Sequence, residues 1–242
     1  MVLHGGHGYW QHWARNIAPL AHHYRVRAPD VPGDGESDTP PEPTMHWLVH
    51  TTRTALDRLL GADTPMRLAG FSFGGLVAAH IAAQRPHVTH LALLGPAGHG
   101  SPRRPQGALQ DWRDAPGAND AVVLRETMRH NLLMQTLERA AAVDERALDL
   151  HTAACIHVRF HSKKISLTGG LLDALATARR TNPSLQLYAM WGEHDVTCTT
   201  QTVLQMMRTS GWCRSAAWSR LKWDIGCNTK PQTSPALFYC KQ

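Results

Sequence analysis

Apolar positions along the 242-residue chain alternate between two rhythms. Met1-Val2-Leu3 reads as the last residues of a buried strand. Tyr24-Arg25-Val26-Arg27-Ala28-Pro29 alternates with period two, as a strand does. Met66-Arg67-Leu68-Ala69, residues 88–94 and Leu185-Gln186-Leu187-Tyr188-Ala189-Met190-Trp191 are further apolar runs of strand length. Between them the period lengthens. Trp10, Trp13, Ile17 and Leu20 recur at helical spacing, and residues 44–60 read as a helix capped by Thr44. Residues 76–83 and 200–207 have helical composition. Strands alternating with helices predict an α/β fold, a mostly parallel sheet covered on both faces.

The rhythm breaks after Gly95. Residues 101–107 are rich in proline and arginine, and 121–150 are helical in composition without strands. The pattern therefore divides the chain into a core over 1–100 and 171–207, a helical cap over 101–170, and an atypical tail over 208–242. The tail carries Trp212, Trp218 and Trp223 without a period and three of the five cysteines.

Composition narrows the classes. The 43% hydrophobic content is ordinary for a soluble globule, and no apolar stretch reaches bilayer-spanning length. The first residues lack a leader pattern, so a cytoplasmic protein is expected. The net charge of +6 is spread along the chain without a basic, aromatic-laced stripe, which argues against nucleic acid as a partner. Five cysteines without a C-x-x-C pair read as free thiols in a reducing compartment. No cofactor or metal is implied.

The chemistry centres on Gly70-Phe71-Ser72-Phe73-Gly74-Gly75, between a strand and a helix. A serine at so sharp a turn is lifted above the sheet edge, and the following helix points its amides at the position where negative charge develops. Ser72 is the candidate nucleophile.

Four elements then carry a resemblance: His4-Gly5-Gly6-His7-Gly8, Asp30-x-Pro32-Gly33-x-Gly35-x-Ser37, the Ser72 turn, and Trp191-Gly192-x-x-Asp195. In this order they resemble the α/β-hydrolase superfamily, in its capped branch of carboxylesterases and meta-cleavage-product hydrolases. The resemblance covers about residues 1–207. It implies that Ser72 is the nucleophile and that Asp195 orients the catalytic imidazole. The amides of Phe73 and of Gly6 or His7 would form the oxyanion hole.

Two departures accompany it. The chain starts at the family's third strand, which reads as an N-terminal truncation. The family's catalytic histidine should follow the acid beyond one more strand, yet no histidine follows His194. The sequence after residue 208 reads as a shifted frame or a degenerate gene end. A sheet missing its outer strands would expose edges that favour self-association.

Several other residues have structural readings. His4 is expected to buttress the oxyanion loop, Asp30 and Pro32-Gly33 to shape their turn, and His22-His23 to end a helix. His7 could line the pocket mouth. His157 and His161 read as an exposed pair, and His99 and His194 are weak candidates for the missing base. Arg159, in the cap, could hold an acidic substrate as a cap arginine does in the C–C hydrolases. Phe71 stands where those enzymes carry asparagine and suits an apolar pocket wall. The expected function is therefore hydrolysis of an ester-type bond in a small acyl substrate through an acyl-enzyme. Hydrolysis of a C–C bond and a non-catalytic remnant are the alternatives.

Overall fold

The computed structural model describes residues 1–100, 107–113, 120–135, 140, 143–192, 195–199, 201–202, 205–206 and 238–239. Its sheet runs in the order β1 (Val2–Leu3), β2 (Met66–Phe71), β3 (Val88–Leu94), β4 (Gln186–Met190), β5 (Phe238–Tyr239). The first four strands are parallel. The two residues of β5 pair antiparallel with Tyr188 and Ala189, so the outer side of β4 is partly covered.

Helix α3 (Phe73–Gln84) lies at the centre, packed against β1, β2 and β3 with α2 (Met45–Leu60) and α7 (Leu171–Thr181) beside it. Its apolar residues go all the way round, and nine of the twelve are buried. On α7 the buried residues Leu171, Ala174, Leu175 and Ala178 recur as one helical stripe. Thr44 caps α2, its hydroxyl accepting the Trp47 N–H at 3.1 Å, as the sequence predicts. Arg85, almost fully buried, donates to Asp57 and to the Gly61 and Thr64 carbonyls at 2.7 and 3.0 Å, tying the end of α3 to the loop after α2.

Two expectations are corrected. Residues 24–29 form no strand. They pass beside β1 without regular structure and accept one backbone bond, from Val2 N–H to the Arg27 carbonyl at 2.9 Å. A two-residue neighbour offers too short a ladder to hold a strand there, so alternation alone did not suffice. The helix expected over 10–20 is split into a tight 3₁₀ turn, Trp10–Trp13, and α1 (Ala14–Ala21).

In the region expected to be a cap, α4 (Ala121–Gln135) and α5 (Glu145–His157) enclose a small cluster of Met128, Leu132, Val143, Leu148 and Cys155, separate from the main core. The short α6 (Lys163–Leu167) follows. Most of the tail, and part of the helix expected over 200–207, lie outside the described residues.

Candidate active site

The turn at Ser72 is built by what its neighbours lack. A Cβ on Gly70 would overlap the Gly74 carbonyl, and one on Gly74 would overlap the His4 carbonyl and lie 2.7 Å from that of Leu3. The two glycines of Gly-x-Ser-x-Gly thus let strand, turn and helix pass within van der Waals contact. Ser72 itself has φ 52° and ψ −117°, a conformation that costs a non-glycine residue about 1–3 kcal/mol. Backbone bonds hold it there. Its N–H donates to the Leu94 carbonyl at 2.9 Å, and its carbonyl accepts Gly75, Leu76 and Ala97 N–H at 3.0, 3.4 and 2.9 Å.

Beside the serine runs the loop after β1. A Cβ on Gly5 would stand 3.0 Å from the Phe71 ring and 3.2 Å from Ser72 Cβ. The loop is locked from below by His4, whose Nε2 accepts the Val31 N–H at 2.9 Å, so its Nδ1 carries the proton donated to the Gly5 carbonyl at 2.8 Å. Burial lowers the His4 pKa, which keeps the ring neutral. Both ring nitrogens are engaged, so His4 is a buttress and not a base. His7 has φ 53°, a second strained position in the same loop. The Gly6 and Phe73 amides donate to no described residue, and the two residues are neighbours, a Cβ on Gly6 lying 3.7 Å from Phe73 Cβ.

Asp30 acts as the architectural hub its motif suggests. Its carboxylate accepts the Trp10 and Glu36 N–H at 2.7 and 3.2 Å, and its carbonyl accepts the Ser37 hydroxyl at 2.8 Å. Arg159 donates to the carbonyls of Gly35 (3.0 Å), Ser37 and His157 (3.1 Å), bracing this loop against the segment that follows α5. Phe71 presents its ring to Gly5 and packs edge-on against His12, centroids 5.8 Å apart.

Asp195 sits past the end of β4. One carboxylate oxygen accepts the Thr197 N–H and hydroxyl at 2.7 and 2.6 Å. The other faces Gly95, 3.1 Å from where a Cβ there would be. Gly95 is two residues before the Ala97 amide that holds Ser72, so acid and serine share the carboxyl end of the sheet, where ligands gather in such folds. Glu193 and His194 lie outside the described residues. His157 and His161 are both exposed, and α5 ends at His157, so the two do not share a helix face. His22 ends α1. Among the described residues no three His, Cys, Asp or Glu side chains are grouped to hold a metal, and no helix is long and apolar enough to cross a membrane.

Sequence reasoning missed two histidines. His12 accepts the Gly5 N–H at 3.3 Å and is held at about 3 by burial and by the neighbouring imidazoles of His4, His151 and His7. His151 of α5 is held at about 4 by burial and by His7, and its Nε2 lies 3.6 Å from Cys155 Sγ. In the helix expected from Trp10 onward, His12 falls off the apolar stripe. The 3₁₀ turn, with three residues per turn, leaves it half-buried against Gly5 and Phe71.

Comparison with known proteins agrees with this geometry. The α/β hydrolase fold family matches over residues 1–146. The chain is 38% identical over 103 residues to lipase LipV of Mycobacterium tuberculosis, covering 40% of this chain and 36% of that protein. It is 33% identical over 155 residues to pimeloyl-[acyl-carrier protein] methyl ester esterase of Xanthomonas campestris, covering 60% and 53%. The chain thus spans about half or less of these relatives' length. A solved meta-cleavage product hydrolase from Pseudomonas fluorescens aligns over 86% of this chain and 77% of its own, with TM-score 0.62 at 21% identity, a likeness of fold. With the family matched over more than half its length and the strand–serine–helix turn in place, the chain belongs to the α/β hydrolase fold family.

Proposed function

We propose that this protein is a serine hydrolase acting on an ester-type bond through an acyl-enzyme. The observation that carries the reading is the strained Ser72 at the β2–α3 turn, beside the Gly6 and Phe73 amides. Strain held by backbone bonds on both sides keeps the hydroxyl in one place, which is what a nucleophile requires. Attack on an ester carbonyl would put charge on its oxygen, and fixed amides nearby would stabilise it. Asp195 would orient the base. The two relatives named above are ester hydrolases by name, and the apolar wall of Phe71 suits an acyl chain. Arg159 is committed to loop carbonyls, which weakens the case for its holding an acidic substrate.

Of the histidines beside the Ser72 loop, His4 has both ring nitrogens engaged and His12 is held at about 3, so neither is fitted to take the serine proton. This favours a second reading, a non-catalytic protein that binds small acyl compounds. A fluorophosphonate probe beside a Ser72→Ala control separates the two. Labelling that vanishes in the control supports the hydrolase, and a folded parent that never labels supports the remnant.

A further inference from the structure

We propose that Ser162 is a third oxyanion donor, a hydroxyl that reaches the same oxygen as the Gly6 and Phe73 amides. The inference rests on the reading of Ser72 as nucleophile. Ser162 is only 3% exposed. It stands just before α6, where a serine ordinarily accepts a helix amide. Here its backbone is already helical (φ −65°, ψ −15°), and the hydroxyl makes no capping bond. Its Oγ bonds to no described residue. Its Oγ is not fully enclosed, so a hydroxyl free of described protein partners is available to a bound group, given a site for it.

Its position supplies one. A Cβ on Gly6 would land on Ser162 Oγ and lie 3.7 Å from Phe73 Cβ. The hydroxyl therefore lies against Gly6 and close to Phe73, the two residues whose amides are assigned to the oxyanion. The same contact explains why residue 6 is glycine, since any side chain would strike Ser162.

The segment carrying it is held on both sides. The Arg159 and Phe160 N–H groups both donate to the Gly33 carbonyl, at 2.7 and 3.1 Å, and the Phe160 ring stacks on Phe73 with centroids 5.6 Å apart. The Ser162 N–H donates to the Phe160 carbonyl at 2.9 Å. Its carbonyl accepts the Ser166 N–H at 2.8 Å, and the Ser166 carbonyl accepts Gly98 N–H at 3.1 Å. A donor placed before the reaction begins costs no reorganisation during it.

In the step itself, Ser72 Oγ bonds to the carbonyl carbon as its proton passes to a water molecule in the site. The carbonyl electron pair moves onto oxygen and is met by two N–H groups and the Ser162 O–H. No proton passes from Ser162. The pair returns as the ester C–O bond breaks, and that water returns the proton to the leaving oxygen, which departs as the alcohol.

The test measures the inactivation of the full chain by a fluorophosphonate, whose phosphoryl oxygen occupies the oxyanion position. Ser162→Ala should slow the bond-forming constant about 100-fold, the scale of losing one oxyanion donor, with reversible probe binding and melting temperature unchanged. Rates within about twofold of the parent, in a folded variant, would overturn the assignment while leaving Ser72 as nucleophile. A parent that never labels would overturn both readings. Ser162→Cys, with similar volume and a weaker donor, should also slow the step and decides the matter if the alanine variant does not fold.

Discussion

The sheet side of the molecule and its α4–α5 pair hold together on different terms. At the β2–α3 turn the chain is fitted to itself through missing side chains, with Gly70 and Gly74 allowing backbone contact that one methyl group would block. In α4 and α5 the contacts are between long side chains. Arg125 bridges Glu145 and Asp149, and Arg129 meets Glu145 at 3.0 Å, over a core of only a few apolar residues. The first arrangement fixes atoms to within tenths of an ångström and so can orient a nucleophile. The second tolerates change. The two are joined by Arg15 of α1, which meets Asp144 at the start of α5 at 2.6 Å, and there His7, His12 and His151 come near enough to disfavour one another's protonation.

Breaking the first arrangement should cost most. Gly74→Ala drives a methyl into the His4 carbonyl, and we expect loss of a cooperative thermal transition, read by circular dichroism. Asp57→Ala leaves the Arg85 guanidinium buried without its carboxylate. It should lower stability by about 3–5 kcal/mol in denaturant titrations, the scale of an uncompensated buried charge. Arg125→Ala, among exposed partners, should leave the midpoint nearly unchanged, and any loss should disappear in high salt. A large, salt-independent loss there would erase the contrast between the two regions.

Acidity probes the junction between them. His12 and His151 stay neutral down to about 3 and about 4 in the folded chain, mainly because their rings are largely withdrawn from water in half-buried positions. Unfolded, each takes a proton near 6.5. Between those limits the unfolded chain binds protons that the folded chain refuses. Stability should therefore fall as pH drops from about 6.5 towards 4, by at most about 1.4 kcal/mol per pH unit for each imidazole. His151→Gln should flatten that limb. Asp34 works in the opposite sense, because burial pushes its carboxyl up to about 8 from 3.8. Its contribution is present below 3.8 and is lost as pH rises through 8. Asp34→Asn should raise the melting temperature at pH 8 and leave it unchanged at pH 4.

Much of this was legible in the sequence because it is local. Glycine spacing around Ser72, the Thr44 cap and the stripe on α7 are all written within a dozen residues. The 24–29 run misled because alternation reports a strand's preference and not whether a neighbour is long enough to pair with it. His12 was hidden by a 3₁₀ turn that a helical period cannot reveal. Ser162 and His151 lie far along the chain from the loop they approach, and no local pattern carries such convergence. Arg159 looked like a substrate ligand by analogy, whereas its guanidinium serves the carbonyls of a loop more than a hundred residues away.

The most direct measurement is the site of acylation. The purified chain would be mixed with a short-chain p-nitrophenyl ester, quenched with acid, digested and analysed by tandem mass spectrometry. The expected result is an acyl group on Ser72, trapped by the acid quench before it is hydrolysed. A folded protein that hydrolyses the ester with Ser72 unmodified, or with the acyl group on another residue, would contradict it.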